Sequence, residues 1–320
     1  MLSPFSTRGT VGQPVRDGFA TTRLWPLPPS GVSAVWLAAW LIITAILPAA
    51  RAGESADEGW QFSVIPFLWM PGLNGNVGVR GVTAAVDASF IDILDTVKDA
   101  DSFIGLLGGF EARHGPWGGF VHGMWTKLSA DAIPAGPITL QVETELALVE
   151  LGGLYRLGEW SLGRGMSHAM AEGEPRLAMD LYAGGRLTYV QAEIGVNRPP
   201  PERSAGDGAL SQDLATRSRE DFSRWQVWVD PIIGSRVTVD LYKHFQLLLG
   251  GDIGGFGVGA HFTAATMGLL GYRFQMFGLE TIAQAGYRAF WQNYDTRTDG
   301  SLFRWDVTMY GPILGLTIRF

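Results

Sequence analysis

The sequence predicts an antiparallel transmembrane β-barrel, and three observations lead to this fold class. Long stretches alternate apolar and polar residues at period two, the stretches are longer than the strands of soluble sandwiches, and aromatic residues lie toward the ends of the apolar faces. Because an open sheet edge in lipid leaves backbone hydrogen-bonding groups unsatisfied, a sheet that spans a bilayer must close. The predicted barrel faces lipid outside and a polar lumen inside.

The alternation is clearest from Arg224 to Leu241, where mostly apolar residues hold the odd positions and polar or charged residues most even ones. Leu177–Tyr189 and Leu279–Trp291 repeat the pattern. Five aromatic residues on the apolar faces are candidates for a membrane girdle: Tyr155, Tyr189, Trp225, Tyr287 and Trp291.

The N-terminus predicts a secretory signal peptide over residues 1–52 and a barrel domain over 53–320. Three arginines precede the uncharged run Val32–Leu47, and Ala50 and Ala52 form the small-x-small site for cleavage after Ala52. The alternative is a membrane anchor, although a spanning helix needs about 20 residues. Removing the leader leaves 20 basic and 30 acidic residues, a net charge that argues against a nucleic-acid partner. The chain has no cysteine, which excludes disulfides and thiolate chemistry.

Alternating short and long connections predict ten strands. Their expected ranges are 60–70, 103–113, 117–131, 137–157, 175–197, 222–240, 244–258, 261–274, 277–294 and 301–320. The segment between the first two is ambiguous, because Gly75–Ala88 resembles a further strand or hairpin. If it spans the membrane with a partner, the count rises to twelve; otherwise it folds over or into the outer mouth. Ser89–Asp101 is expected to form a short helix capped by Ser89.

One strand breaks the alternation rule. Leu140–Leu148 places apolar residues or threonine at even positions, which predicts that these face lipid and that Glu143 and Glu145 face the lumen. Glu150 then falls on the lipid face, where a carboxylate is costly. We therefore expect a β-bulge near Val149 that returns Glu150 to the lumen.

The polar faces predict a charged lumen, with two interpretations. Either it is a narrow pore whose charges select small polar solutes, or it is a salt-bridged interior that fills a structural or surface barrel. The candidate lining residues are Glu111, Arg113, Glu143, Glu145, Asp180, Arg186, Arg224, Asp230, Arg236, Asp240, Asp252, Glu280 and Arg288.

The alternative function is a barrel enzyme that acts on lipid or peptide at the outer rim. His261 is the only histidine expected near that rim, with Thr263 close in sequence. No catalytic motif is evident, so the sequence predicts no catalytic residue, no metal site and no cofactor.

The C-terminal residues Tyr310, Leu314, Leu316, Ile318 and Phe320 share one face of the last strand. We expect this strand to close the barrel against residues 60–70 and to carry the signal read by the outer-membrane insertion machinery. Outer-membrane lipid and lipopolysaccharide are the other expected partners, and the barrel is expected to be a monomer. The loop Arg198–Asp221 has four arginines that could contact lipopolysaccharide phosphates, but five acidic residues accompany them and favour simple solvation.

Three segments carry a family resemblance: Trp69–Gly81, Val86–Asp95 and Gly109–Phe120. Their WxxGLxGxxGVxG, SFxDIL and ExRxGxW patterns resemble a family of uncharacterised bacterial outer-membrane β-barrel proteins. The resemblance covers Trp60 to about Leu128 and the terminal phenylalanine. It implies the outer membrane of a Gram-negative bacterium and supplies no activity.

Overall fold

The computed structural model describes residues 59–92, 106–131, 139–162, 175–197, 219–241, 244–298 and 300–320. The predicted leader with Ala50 and Ala52 lies outside the described residues, as does most of the loop Arg198–Asp221. Among the described residues, no helix is long and apolar enough to cross a membrane.

Twelve antiparallel strands make up nearly all of the described chain. Their bounds are β1 Gln61–Trp69, β2 Gly72–Val79, β3 Val82–Ala88, β4 Leu106–His114, β5 Trp117–Asp131, β6 Thr139–Ser161, β7 Arg176–Asn197, β8 Arg219–Asp240, β9 Phe245–Gly254, β10 Phe262–Met276, β11 Leu279–Thr298 and β12 Ser301–Arg319.

Ten of these strands close into a ring. From β4 to β12 each strand pairs with the next, and β1 pairs with both β4 and β12. The backbone of Phe62 exchanges two hydrogen bonds of 3.0 Å with Phe320, and their rings lie 5.9 Å apart. The prediction that the last strand closes against the first is confirmed. We call the end that holds these residues the lower end.

The ambiguous segment is a hairpin, β2–β3, attached to the upper part of the ring. β2 continues the line of β1 along β12 in one register: Trp69 pairs with Ile313 and Gly72 with Tyr310. Between them, Met70 N–H donates to Pro312 at 3.0 Å. On the side away from β12, β1 pairs with β4, whereas β2, above Trp69, pairs with β3. The segment therefore adds no membrane-spanning pair of its own.

The lower half has the expected faces of a transmembrane barrel. Large apolar side chains are exposed on its outer surface, including Leu151, Leu181, Ile233, Leu249 and Leu270. Aromatic residues flank them, with Trp117 and Tyr155 below and Trp225 and Trp291 above. β9 has 10 residues, which is enough to cross a bilayer when tilted. The predicted transmembrane β-barrel is confirmed.

The upper half is a flattened sandwich. β9 and β10 stop at Gly254 and Phe262, whereas their neighbours β8 and β11 continue upward. This leaves two four-stranded sheets, β5–β6–β7–β8 and β11–β12–β2–β3. β2 approaches β7 and β8, while β3 approaches β5 and β6. An apolar core lies between the sheets, with Leu146, Ile194, Phe290, Phe303 and Trp305 each fully buried.

The upper half of β6 reverses the predicted orientation. Leu146 and Leu148 point inward and are buried, whereas Glu143 is exposed and Glu145 half-buried on the outer face. The ladder runs without a break past Val149 on both sides, and the only recorded shift of β6 against β7 lies between Arg156 and Gly158. The predicted bulge is wrong. Glu150 already points inward, because above the membrane the apolar face becomes the inner one.

A helical turn begins after β3 at Phe90. Ser89 caps it as predicted: its Oγ and N–H donate to Asp92 Oδ2 at 2.7 and 2.9 Å, and Asp92 N–H donates back to Ser89 Oγ at 3.3 Å. The Ser89 hydroxyl and then its N–H hold the pKa of Asp92 below its usual value. The rest of the predicted helix lies outside the described residues.

Candidate functional site: the charged interior

The lower half of the barrel encloses a cavity of about 510 Å³. Its wall carries seven carboxylates and seven arginines, so the cavity has no excess of fixed charge of either sign. They are Glu111, Glu150, Glu159, Asp180, Asp240, Asp252 and Glu280, with Arg113, Arg156, Arg176, Arg236, Arg273, Arg288 and Arg319.

A lower cluster forms around Asp180 on β7. Arg113 donates to both of its oxygens at 3.2 and 2.7 Å, and Arg156 and Arg236 also donate to it. Arg236 makes a second, bidentate contact with Glu111 at 2.6 and 3.1 Å. Since β8 carries Arg236 and β4 carries Glu111, four places away around the ring, this pair crosses the lumen.

An upper cluster lies beneath the apolar core. Arg186 is fully buried and donates to Glu150 at 2.8 Å and to both oxygens of Asp252 at 2.8 and 3.0 Å. Arg288 donates to the same Glu150 at 3.3 Å and lies 5.1 Å over the Trp69 ring. β6 and β11 are five places apart in the ten-strand ring, on opposite walls. The contact between Glu150 and Arg288 therefore spans the full width of the lumen.

His122 lies between the two clusters. Its Nε2 is 3.8 Å from Glu111, and its Nδ1 is 4.0 Å from Glu150. His122 thus links the two clusters into one network, in which carboxylates on one side of the barrel pair with arginines on the other side. Buried ions in this arrangement are tolerated because each is paired and hydrogen-bonded.

The other predicted lining residues have different positions. Asp240 and Glu280 lie at the lower end, where Arg273 contacts both and Arg319 donates to Glu280 at 2.7 Å. Arg224 is half-buried on the inward parity of upper β8. The prediction for Glu143 and Glu145 is wrong, because both lie on the outer face, where Trp125 donates to Glu145 at 2.7 Å.

Asp230 is fully buried above the cavity rather than on its wall. Its carboxylate accepts from the Ala260 backbone at 2.6 Å, from Trp228 Nε1 at 3.1 Å and from Gln292 at 3.2 Å. Each of these donors is neutral. They join β8 to β11 and to the loop that connects β9 and β10.

Sequence reasoning missed several polar residues of the interior: Arg156, Arg273, Arg319, His122 and Gln292. Extending the inward parity of each strand would have found His122, Arg156 and Gln292, since the ladders keep their register as far as these residues. Arg273 lies one residue before the end of the predicted strand 261–274, whereas β10 continues to Met276.

His261 and Thr263, which are close in sequence, are not brought together in the structure. His261 Nε2 lies 3.5 Å from Asp295 on the exposed surface. Thr263 is fully buried and accepts from Arg186 at 3.2 Å inside the barrel. His261 is therefore not the base for this hydroxyl. In the described part of the chain, no group of three or more acidic or histidine residues is placed to hold a metal.

The fold and its apolar belt define a transmembrane β-barrel of the type found in outer membranes. Comparison with protein-family models finds no match, and comparison with curated proteins finds none. Solved structures give weak similarity. Ail, the attachment invasion locus protein of Yersinia pestis, has a TM-score of 0.28 and 12% identity, over 82% of this chain and 100% of that one.

Two other solved structures are similar at the same level. The toluene transporter TbuX of Ralstonia pickettii has a TM-score of 0.25 and 9% identity, over 83% of this chain and 90% of its own. OmpT, an outer membrane protein of Vibrio cholerae, has a TM-score of 0.22 and 9% identity, over 84% and 100%. Because these values are low, the fold assignment rests on the strand pairing, and no role is transferred from these proteins.

Proposed function

We propose that the chain is an outer-membrane barrel with a closed interior, which serves a structural or surface-contact role rather than acting as a steady pore. The observation that carries this proposal is the apolar core of the upper half, which lies directly above an ion pair between opposite walls. A conducting path through the upper half would have to pass through this core. Exposing each large apolar side chain costs about 1.5–3 kcal/mol.

The location rests on three features that agree. The lower half has an apolar belt with aromatic rims, the strands close on themselves, and the N-terminal 52 residues have the pattern of a secretory leader. The sandwich above the belt carries polar outward residues such as Asn74, Glu143 and Arg304, which suits contact with water and lipopolysaccharide. The proposal includes outer-membrane lipid and lipopolysaccharide as partners, assembly by the outer-membrane insertion machinery, and a monomeric barrel.

Recording in planar lipid bilayers tests the closed interior. We expect no steady single-channel conductance from the refolded mature protein, with a porin of known conductance inserted as the positive control. Heat-modifiable migration on a gel establishes that the tested sample is folded. A reproducible open level in folded protein would overturn the proposal and favour the narrow pore.

A further inference from the structure

The outer wall of the barrel has a notch between β8 and β11. β8 has backbone partners on β9 only from Ile232 to Asp240, and β11 has partners on β10 only up to Asn293. Above these points the two strands are joined by side chains. Trp228 stacks on Tyr294 at 3.9 Å, and Gln292 donates to Asp230 at 3.2 Å.

The loop 255–261 fills the lower part of this notch and is held firmly. Gly255 N–H donates to Pro231 at 3.0 Å, His261 N–H to Asn293 at 2.8 Å, and Ala260 N–H to buried Asp230 at 2.6 Å. A Cβ atom at Gly259 would lie 2.5 Å from the Val229 carbonyl oxygen, so only glycine fits against β8. The loop is therefore anchored to both flanking strands.

This anchored loop presents apolar side chains to the outside. Val258 is 75% exposed and Phe256 54% exposed, and Phe256 has a φ of +49°, which is unfavourable for a residue with a side chain. The flanking outward residues Trp225, Val229 and Trp291 are also exposed. We call these five exposed side chains the apolar patch, and they stand where a surface loop would ordinarily be polar.

The height of the loop explains this composition. β9 starts beside Tyr272, whose ring lies 5.4 Å from that of Phe245, at the lower aromatic rim. A strand of 10 residues that is tilted by ~45° rises about 24 Å, which is close to the height of about 25 Å of an outer-membrane apolar band. The loop thus lies at the level where acyl chains meet headgroups. His261, the last residue of the loop, pairs with Asp295 of β11 at 3.5 Å.

We propose that the loop 255–261 is inserted into the outer leaflet, where Phe256 and Val258 bind lipid acyl chains in the notch between β8 and β11. The partner is lipid because the apolar patch lies at the upper edge of the lipid-facing belt and extends its apolar surface. The buried Asp230 holds the loop backbone so that these two side chains stay outward. This proposal rests on the transmembrane fold and holds whether or not the lumen conducts.

The cysteine-free chain allows a direct test with single-cysteine variants of the full protein. Val258→Cys is labelled with bimane and reconstituted in vesicles whose phospholipids carry a nitroxide high on one acyl chain. Leu249→Cys, which faces lipid on β9, is the lipid control, and Asn76→Cys, which is exposed on upper β2, is the water control.

We expect the label at residue 258 to be quenched by the nitroxide lipid about as strongly as the label at 249, and at least several-fold less by aqueous iodide than the label at 76. Quenching by iodide equal to that at 76, with little quenching by lipid, would place the loop in water and overturn the proposal. Because the side chain of Val258 is exposed, the substitution leaves the packed interior unchanged.

Discussion

At the residue scale, Asp180 is the centre of the lower cluster. Three arginines from three strands converge on one buried carboxylate, and one of them, Arg156, also contacts the more exposed Glu159. Removing the negative charge leaves buried guanidinium groups without their main partner, whereas removing an exposed charge does not.

Asp180→Asn is therefore expected to lower the free energy of unfolding by about 3–5 kcal/mol. The matched control is Glu159→Gln, whose side chain is 47% exposed. It should change stability by about 0–1 kcal/mol. Urea titration in lipid vesicles, followed by tryptophan fluorescence, measures both. Equal losses in the two variants would contradict a central role for Asp180.

At the element scale, β6 shows what alternation can and cannot tell. The pattern identified its two faces correctly, but a period of two does not say which face is inside. In β7, β8 and β11 the charged face had to be the inner one within the membrane. Even-numbered residues of β6 face inward from Leu140 to Arg156. In upper β6 the outer face contacts water instead of lipid, so apolar Leu146 is on the inner face and Glu143 on the outer face without any change of register.

Single cysteines along β6 test this reversal. Glu143→Cys should react rapidly with a membrane-impermeant maleimide, and Val142→Cys should be protected, because Val142 is 1% exposed within the core. Leu151→Cys should also be protected from the same reagent, because its neighbour is lipid. Fast labelling at 142 with protection at 143 would contradict the observed orientation of upper β6.

At the scale of the whole molecule, the strand ranges and the closing pair could be predicted from the sequence, but the sandwich could not. Strand ranges follow from local alternation, and the ends of most strands agree with the structure to within a few residues. The sandwich depends on β9 and β10 being shorter than their neighbours, and on β2 and β3 meeting β12 from the other end of the chain. The ion-pair partners, such as Arg288 and Glu150, depend on which walls face each other.

Closure can be tested by a disulfide across the first and last strands. Val64 lies opposite Ile318, and directly opposed residues in an antiparallel pair are within the Cα separation that a disulfide needs, about 4.4–6.8 Å. Val64→Cys with Ile318→Cys should cross-link in the folded protein, as seen by a mobility shift on a non-reducing gel after boiling. Val64→Cys with Leu314→Cys is the off-register control; comparable cross-linking there would contradict the ladder.

The attachment of β2–β3 to β12 also sets the order in which the molecule can assemble. One sheet of the sandwich combines strands from both ends of the chain, so it cannot form before the terminal strands meet. Pairing Ser63 with Arg319 closes a loop of more than 250 residues, and such non-local pairing makes folding slow. The closed ring of strands and the apolar core inside it therefore form together in one late step. Until then the aromatic side chains of the core, such as Phe303 and Trp305, remain unburied.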